Sequence, residues 1–487
     1  MHMSVAEPTG PTTALRKDAV GVVGILFFVL SAQAPLTGIV GAAALAVALG
    51  NGAGAPGAYL VVGLVIILFA VGFTTITRYV DSVGGFYALI RAGLGVSVAR
   101  VGSWLALITY NTIQAAMYGL FGATASGLIA RYLHVDVAWW VVVLATVALV
   151  YAFGRRNIEV GARVMAVLVS AEVAILLAFA IGVIAQGSAP HGFDLTASFG
   201  PHAVTAGAPG IAVLFAIASM FGFESTAIYA GEAREPQRTV PRATYLSVSL
   251  IAVFFAFIMW VLISYYGAGA AQGAALDTLA TDPGNFVLGP VSSVLGGWAA
   301  DLTSVLLCTS LLAGLLAFHN IVNRYLHAMA EHDELPRRLC RTNRHQAPAV
   351  AAAVQSITVV LVMAWFMIGD KNPVATLFGW LSGQAVAALV VLYVLVSISI
   401  IRYFRSHRVH SNAWSTTVAP AVSVVLMLGE LFIIVKNFQT LTGGSQTTCE
   451  VLLWSVPAVT LLGWLVSTAF KRRARSGAVE VAVETAA

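Results

Sequence analysis

Residues 219–226 read Ser219-Met220-Phe221-Gly222-Phe223-Glu224-Ser225-Thr226, and they lie in the middle of an apolar run over 208–231. This stretch puts a glycine, hydroxyl groups and a carboxylate where an unbroken membrane helix would be apolar. A second interruption, in the apolar run 19–49, reads Ser31-Ala32-Gln33-Ala34-Pro35-Leu36-Thr37-Gly38. Pro35 has no N–H to donate, and its ring clashes with the carbonyl four residues earlier. Both stretches therefore predict a break in a membrane helix.

The composition explains why these runs belong in a membrane. The chain of 487 residues has 26 Lys and Arg and 21 Asp and Glu, so that 10% of it is charged, while 59% is hydrophobic. A typical soluble protein is roughly a quarter charged. The composition disfavours a soluble enzyme, a disordered chain and a nucleic-acid-binding protein with an extended basic surface. We therefore expect an integral membrane protein whose surroundings are the lipid bilayer.

Apolar runs of about 20 residues, the length that crosses the hydrocarbon core, predict twelve transmembrane helices, here numbered spans 1 to 12. They cover residues 19–49, 57–77, 98–130, 137–154, 160–186, 208–231, 243–267, 291–322, 349–369, 374–401, 415–436 and 450–470. Of the 26 Lys and Arg, 23 fall on one side of these spans, and only Arg131, Lys371 and Lys436 fall on the other. Basic residues collect on the cytoplasmic side, so both termini are predicted to be cytoplasmic.

The two breaks occupy matching places if the core is a pair of repeats. We expect a cytoplasmic tail over 1–18, a ten-helix core over 19–402, peripheral helices over 403–470 and a second cytoplasmic tail over 471–487. Repeats over about 19–187 and 208–402 would make spans 1 and 6 equivalent. Paired interruptions in two halves point to the substrate site of a transporter. For span 1 taken alone, a simple proline kink is an equal alternative.

Four carboxylates lie within spans, where a charge is costly and invites a functional interpretation. Glu224 is in the break of span 6 and is a candidate for substrate binding or coupling; alternatively it satisfies freed backbone N–H groups. Glu172, in span 5 among apolar neighbours, is a candidate for carrying a proton; alternatively it is a structural hydrogen-bond donor. We expect Asp301 to be solvated near the outer end of span 8, and Glu430 to contact a neighbouring helix or subunit.

Span 3 carries one polar stripe on an otherwise apolar helix. Tyr110, Gln114 and Tyr118 recur every four residues, and Asn111 lies beside them. This spacing puts them on one face of a helix, which is predicted to face either a cavity or a neighbouring helix.

Three stretches carry a family resemblance. Phe221 to Ala243 reads FGFESTAIYAGEAREPQRTVPRA, Gly84 to Gly95 reads GGFYALIRAGLG, and Arg324 to Leu339 reads RYLHAMAEHDELPRRL. Together they resemble, in order and spacing, signature segments of the amino acid–polyamine–organocation (APC) superfamily. The resemblance covers essentially the whole chain, and the three segments together are far more specific than any one of them.

The resemblance implies an all-α fold with a ten-helix core of two inverted repeats, as in the bacterial leucine transporter, and discontinuous spans 1 and 6. It also implies secondary transport of an amino acid or related amine across the cytoplasmic membrane of a bacterium. The substrate-binding positions it implies are Ser31, Ala32, Gln33, Ala34 and Thr37 in span 1, Asn111 and Gln114 in span 3, and Met220, Phe221, Gly222, Phe223 and Glu224 in span 6.

Two departures from the family pattern bear on the substrate and the coupling ion. The Gly-x-Gly common in the span 1 break is replaced by SAQAP, which favours an amine or a smaller ligand. Glu172 aligns with a span 5 lysine that stands in for a sodium ion in some relatives, so an acid here could carry a proton or help bind a cation.

The leading hypothesis is a proton-coupled symporter or an exchanger, with H⁺ as the coupling ion. A sodium symporter is the alternative within the same class, and a nutrient sensor or channel with a transporter fold is the alternative from another class. No His/Asp/Ser constellation with catalytic spacing stands out, so an enzyme is not expected. No cofactor or metal site is predicted, and the oligomeric state is left open.

Overall fold

The computed structural model describes residues 21–80, 85–156, 162–224, 226, 233–344, 347–407 and 412–486. These residues form a bundle of helices. The α-helices are α1 Val22–Gln33, α2 Ala55–Ile76, α3 Gly85–Leu94, α4 Val96–Leu133, α5 Trp139–Arg155, α6 Ala162–Ala185, α7 Leu195–Phe199, α8 Pro201–Thr205, α9 Pro209–Ser219, α10 Pro236–Tyr266, α11 Ala271–Thr281, α12 Asn285–Leu295, α13 Gly297–Glu331, α14 Ala349–Ile368, α15 Gly379–His407, α16 Ala419–Leu441 and α17 Gln446–Ala486. The all-α prediction is confirmed.

Within the described residues, nine helical segments are long and apolar enough to cross a membrane. Three features separate that number from the predicted twelve. Span 2 and the second half of span 1 form one segment, Thr37–Ile76. Helix α5, in span 4, has 17 residues and is too short to be counted. Helix α9, in span 6, is long enough only when it is joined to Leu195–Thr205 across a bend of 113°. A helix is present in every predicted span, and the count of twelve stays a prediction.

The predicted break in span 1 is present and centres on Ala34. Helix α1 ends at Gln33, and Ala34 takes a left-handed conformation (φ 45°) while its N–H donates to the carbonyl of Leu30. Pro35 then starts a new helical segment that continues as wider π-helical turns over Thr37–Ala43 and Ala46–Asn51. π-Turns inside helices are frequent at functional sites. Span 1 is therefore two half-helices joined at Ala34.

The predicted break in span 6 follows directly after Ser219. Helix α9 ends there, Met220 and Phe221 form a turn, and Gly222 has φ 102°, which a residue with a Cβ rarely adopts. Ser225 and residues 227–232 lie outside the described residues. The glycine in the quoted stretch therefore marks the place where the chain leaves the helix.

Packing brings the two breaks together inside the core. Helix α2 packs against α9 and α10, α4 packs between α13 and α15, and α6 packs against α1 and α13. Helix α17 lies at the edge of the bundle: 17% of its most apolar window is buried, against 78% for Pro373–His407 in span 10. Helix α16, by contrast, packs against α15, α9 and α2, and the division into a ten-helix core and two peripheral helices stays a prediction.

Candidate functional site

A cavity of about 30 Å³ lies between the two breaks. It is bounded by both halves of span 1, the end of α9, and the middles of α4, α13 and span 10. Its lining residues are Gln33, Ala34, Thr37, Gly38, Ala42, Ile113, Met117, Ala218, Ser219, Phe221, Phe318, Phe378 and Ser382. Four of the predicted substrate-binding residues, Gln33, Ala34, Thr37 and Phe221, are thus brought to one place.

Three polar atoms at this cavity are buried without a hydrogen-bond partner among the described residues. They are Gln33 Oε1, Thr37 Oγ1 and Ser382 Oγ. An unpaired buried polar group costs roughly 1–3 kcal/mol, so folded proteins rarely keep three beside each other without a reason. The other end of the Gln33 side chain bridges the two breaks, because its Nε2 donates to the Met220 carbonyl at 3.4 Å. The cavity therefore presents acceptors and hydroxyl groups to whatever enters it.

The lining of the cavity combines these polar atoms with aromatic rings. Phe221, Phe318 and Phe378 provide apolar walls, and the lining residues within the described structure carry no charged side chain. Such a site suits a small molecule that has hydrogen-bonding groups on an apolar body.

Glu224 lies behind the cavity and is fully engaged by neighbouring groups. Its Oε1 accepts from the Tyr110 hydroxyl at 3.0 Å, and its Oε2 accepts from the Gly222 N–H at 3.0 Å and from the Tyr393 hydroxyl at 3.3 Å. Phe223 packs edge-on against Phe69 nearby. The carboxyl therefore holds the span 6 break against α4 and α15 rather than lining the cavity.

Glu172 reaches the other break. It is fully buried on α6, and its Oε2 accepts from the backbone N–H of Leu36 at 3.1 Å, in the first turn after Ala34 and Pro35. The remaining oxygen, Oε1, has no hydrogen-bond partner among the described residues, and Ser310 of α13 lies beside the carboxyl. The N-terminus of a helix favours a negative charge through its unpaired N–H groups and its dipole. Glu172 thus occupies the position at the break where an anion binds best.

The polar stripe of span 3 is divided: Tyr110 reaches Glu224 in the span 6 break, whereas Gln114 and Asn111 face away from the cavity. Gln114 Nε2 donates to the Leu315 carbonyl at 2.8 Å, and Gln114 Oε1 accepts from the amide of Gln355. Gln355 Oε1 in turn lies 2.5 Å from Nδ1 of His319. Asn111 lines a separate groove between α4, α14, α15 and α17. The structure therefore does not bring Asn111 and Gln114 together with the two breaks; the apolar face of the same helix lines the cavity.

The other sequence candidates have structural surroundings of their own. Ser31 and Ala32 belong to the last turn of α1, and Met220 contributes its carbonyl to Gln33. Asp301 pairs with Arg131 at 3.0 Å, and Glu430 is buried on α16 with Oε1 unpaired within the described structure.

Sequence reasoning missed two polar cavity residues, Ser219 and Ser382, and the apolar lining from α4, α13 and span 10. A signal for Ser382 existed, since Ser382-Gly383-Gln384 is a small polar cluster inside an apolar run. Among the described residues, no group of three or more His, Cys, Asp and Glu side chains could hold a metal ion.

Comparisons with known proteins agree with this architecture. The sequence model of the amino acid permease family matches residues 21–465. The branched-chain amino acid permease BcaP of Lactococcus lactis is 24% identical, with 78% of this chain and 82% of that protein covered. A gamma-aminobutyric acid permease of Bacillus subtilis is 27% identical, with 71% and 72% covered.

Among solved structures, a manganese transporter from Eremococcus coleocola superposes with a TM-score of 0.56 at 15% identity, covering 95% of this chain and 99% of that one. At that identity the likeness concerns the fold alone. It confirms the inverted-repeat transporter fold with discontinuous spans 1 and 6.

Proposed function

This chain belongs to the amino acid permease family, and on that premise we propose that it is a secondary active transporter for an amino acid or a related amine. The single observation that carries the proposal is the cavity between the two breaks, with three unpaired polar atoms in its wall. Both breaks contribute to that cavity, so a molecule bound there would contact both halves of span 1 and the end of the first half of span 6. Movement of either pair of halves would then expose it to one side of the membrane, as alternating access requires.

The small size of the cavity indicates a state of the transport cycle in which the substrate site is closed. About 30 Å³ holds roughly one water molecule, whereas ligand pockets for small molecules run to hundreds of Å³. Substrate binding therefore requires the half-helices to separate. The substrate is a small one, held by Gln33, Thr37 and Ser382 and by backbone groups of Ala34 and Phe221. Ser31, Ala32, Met220 and Gly222 shape the same two breaks.

The coupling ion is proposed to be H⁺, carried by Glu172. Its carboxylate accepts a hydrogen bond from the Leu36 N–H. A substrate carboxylate bound at the same half-helix would need that N–H as its own donor. Protonation removes the negative charge and weakens that hydrogen bond, which releases the N–H to the substrate. One proton and one substrate molecule would then bind together, and deprotonation of Glu172 would displace the substrate. Glu224 acts through Tyr110 and Tyr393 by holding the span 6 break in place.

Reconstituted transport tests the proposal. Purified protein in liposomes takes up a labelled amino acid or amine faster when an inward proton gradient is imposed, or when unlabelled counter-substrate is loaded inside. Protein-free liposomes supply the background. No uptake across a broad panel of amino acids and polyamines would contradict the function. An uptake rate that depends on the sodium gradient at fixed pH and voltage would show that the coupling ion is Na⁺ and not H⁺.

A further inference from the structure

A second and much larger hollow lies at the edge of the molecule, away from the transport cavity. It is a groove of about 800 Å³ between α4, α14, α15 and α17, which we call the peripheral groove. Its lining includes Trp104, Asn111, Gln355, Trp365, Trp380 and Val451. Trp365 and Val451 are 54% and 62% exposed, so the groove is open toward the surroundings of the bundle. These surroundings are the bilayer, because all four walls are membrane helices.

The length of the peripheral groove matches a lipid chain. Along α14 it extends over the thirteen residues from Val354 to Phe366, which are separated by twelve helical rises. At 1.5 Å per residue this is about 18 Å, slightly more than half of the roughly 30 Å hydrocarbon core. One acyl chain that enters from the end near Leu335 and Leu339 and reaches past the midplane therefore fits along it.

One end of the groove is basic. Leu335 and Leu339 line it there, and Leu339 lies in a short 3₁₀-helix, Arg337–Cys340. Arg338 and Arg341 flank this end; both are exposed, and neither has an ion pair among the described residues. Arg337, by contrast, is neutralised by Asp333 at 2.7 Å. Two positive charges thus lie beside the mouth of an apolar groove.

We propose that the peripheral groove binds an anionic phospholipid, with one acyl chain along α14 and the phosphate at Arg338 and Arg341. Basic pockets between membrane helices on the cytoplasmic side are suited to anionic headgroups, and the sequence predicts that this loop is cytoplasmic. The site is distinct from the transport cavity. Its occupant would brace α17, which has few other buried contacts.

A second copy of the chain fits this face less well. Two copies related by a two-fold axis along the membrane normal would bring the same loops together on the same side of the bilayer. Arg338 and Arg341 of each copy would then face like charges, which is unfavourable.

Quenching of tryptophan fluorescence by brominated lipid tests the site directly. Trp104, Trp365 and Trp380 line the groove, so a brominated acyl chain in it quenches their emission. Delipidated protein in detergent is titrated with brominated phosphatidylglycerol or phosphatidylcholine. The anionic lipid is expected to bind more tightly. In R338Q/R341Q we expect its affinity to fall about 25-fold, since each basic residue near an anionic lipid contributes about fivefold, while phosphatidylcholine is unaffected.

Two matched controls separate the groove from general lipid contact. R402Q/R405Q removes two exposed arginines at the end of α15, remote from the α15 residues that line the groove, and leaves the preference for phosphatidylglycerol intact. T358F fills the groove and weakens binding of both lipids, whereas I357F, on an exposed neighbouring position outside the lining, does not. Equal quenching by the two lipids, a preference retained in R338Q/R341Q, or equal binding by T358F and I357F would overturn the proposal. So would cross-linking of two copies through α14.

Discussion

The hydroxyl of Ser382 is a single-residue test of the transport cavity. It is fully buried, lines the cavity and has no partner among the described residues. If it binds the substrate, S382A removes one hydrogen bond, with a net contribution of about 1 kcal/mol. We expect the KM for uptake to rise about fivefold, while the melting temperature of the substrate-free protein stays the same or rises. Both are measured on the purified protein.

The matched control is Ser397 on the same helix. Its hydroxyl is also buried, but it lies 3.3 Å from that of Ser423, away from the cavity. S397A should leave the KM unchanged. Equal KM values in S382A and the unaltered protein would remove Ser382 from the substrate site.

Glu172 makes a prediction about pH. In E172Q the side chain still offers an oxygen to the Leu36 N–H, but it no longer binds or releases a proton. We therefore expect uptake by E172Q to lose most of its pH dependence, whereas the rate of the unaltered protein rises as the external pH falls. Initial rates of uptake into liposomes, measured over a series of external pH values, report this directly.

Glu430 supplies the control for that experiment. It is a second buried carboxyl with an unpaired oxygen within the described structure, but it lies on the peripheral helix α16. E430Q should keep the pH profile of the unaltered protein. A profile in E172Q that matches that of E430Q would show that Glu172 does not carry the coupling proton.

How much of the site follows from sequence depends on the residue. Gln33 and Phe221 could be predicted to lie at the cavity, because Pro35 and Gly222 indicate the breaks beside them. Ser382 could not, because the cluster Ser382-Gly383-Gln384 does not show which neighbour it faces and a serine in a membrane helix commonly bonds to its own helix backbone. The spacing of Gln114 predicts that it lies on the polar face of its helix, but it does not show which group that face contacts. In the structure the contact is the Leu315 carbonyl, which accepts from the Gln114 amide.

At the level of helices, the close approach of α9 to α16 fixes the first half of span 6. A Cβ on Gly210 would lie 2.1 Å from the Ile433 carbonyl oxygen, so G210A must push the two backbones apart. Such overpacking costs about 1–3 kcal/mol. We expect a lower melting temperature and a lower rate of uptake, because α9 carries the end of the break.

A glycine in open space on α16 is the control. Nothing lies within 4 Å of a Cβ built on Gly429, so G429A should not lower the melting temperature. A melting temperature in G210A equal to that in G429A would contradict the close contact.

The helices themselves were largely predictable, because apolar length and Pro or Gly positions are local properties of the chain. Pro35 and Gly222 mark where the first halves of spans 1 and 6 end. The rotation of α4 was not predictable, since its polar stripe suited either a cavity or a neighbouring helix. Contacts with α13 and α14, distant in sequence, set that rotation.

For the whole molecule, the predicted orientation is testable with two of the three cysteines. Cys340 lies in the arginine-rich loop predicted to be cytoplasmic, and Cys449 lies near the start of α17, predicted to be outside. A membrane-impermeant maleimide applied to intact cells should label Cys449. C449S should abolish the signal, and C340S should leave it unchanged. Labelling that disappears in C340S instead would invert the topology.

The three unpaired polar atoms around the cavity also offer a route to the substrate that needs no membrane. A ligand that pairs with them binds the folded chain alone, so it stabilises that chain by about 2.7 kcal/mol at a hundred times its dissociation constant. The detergent-solubilised protein, heated against a library of small metabolites, would rank them by how far each delays unfolding. The transported compound would thus be identified first as a ligand that raises the melting temperature of the protein.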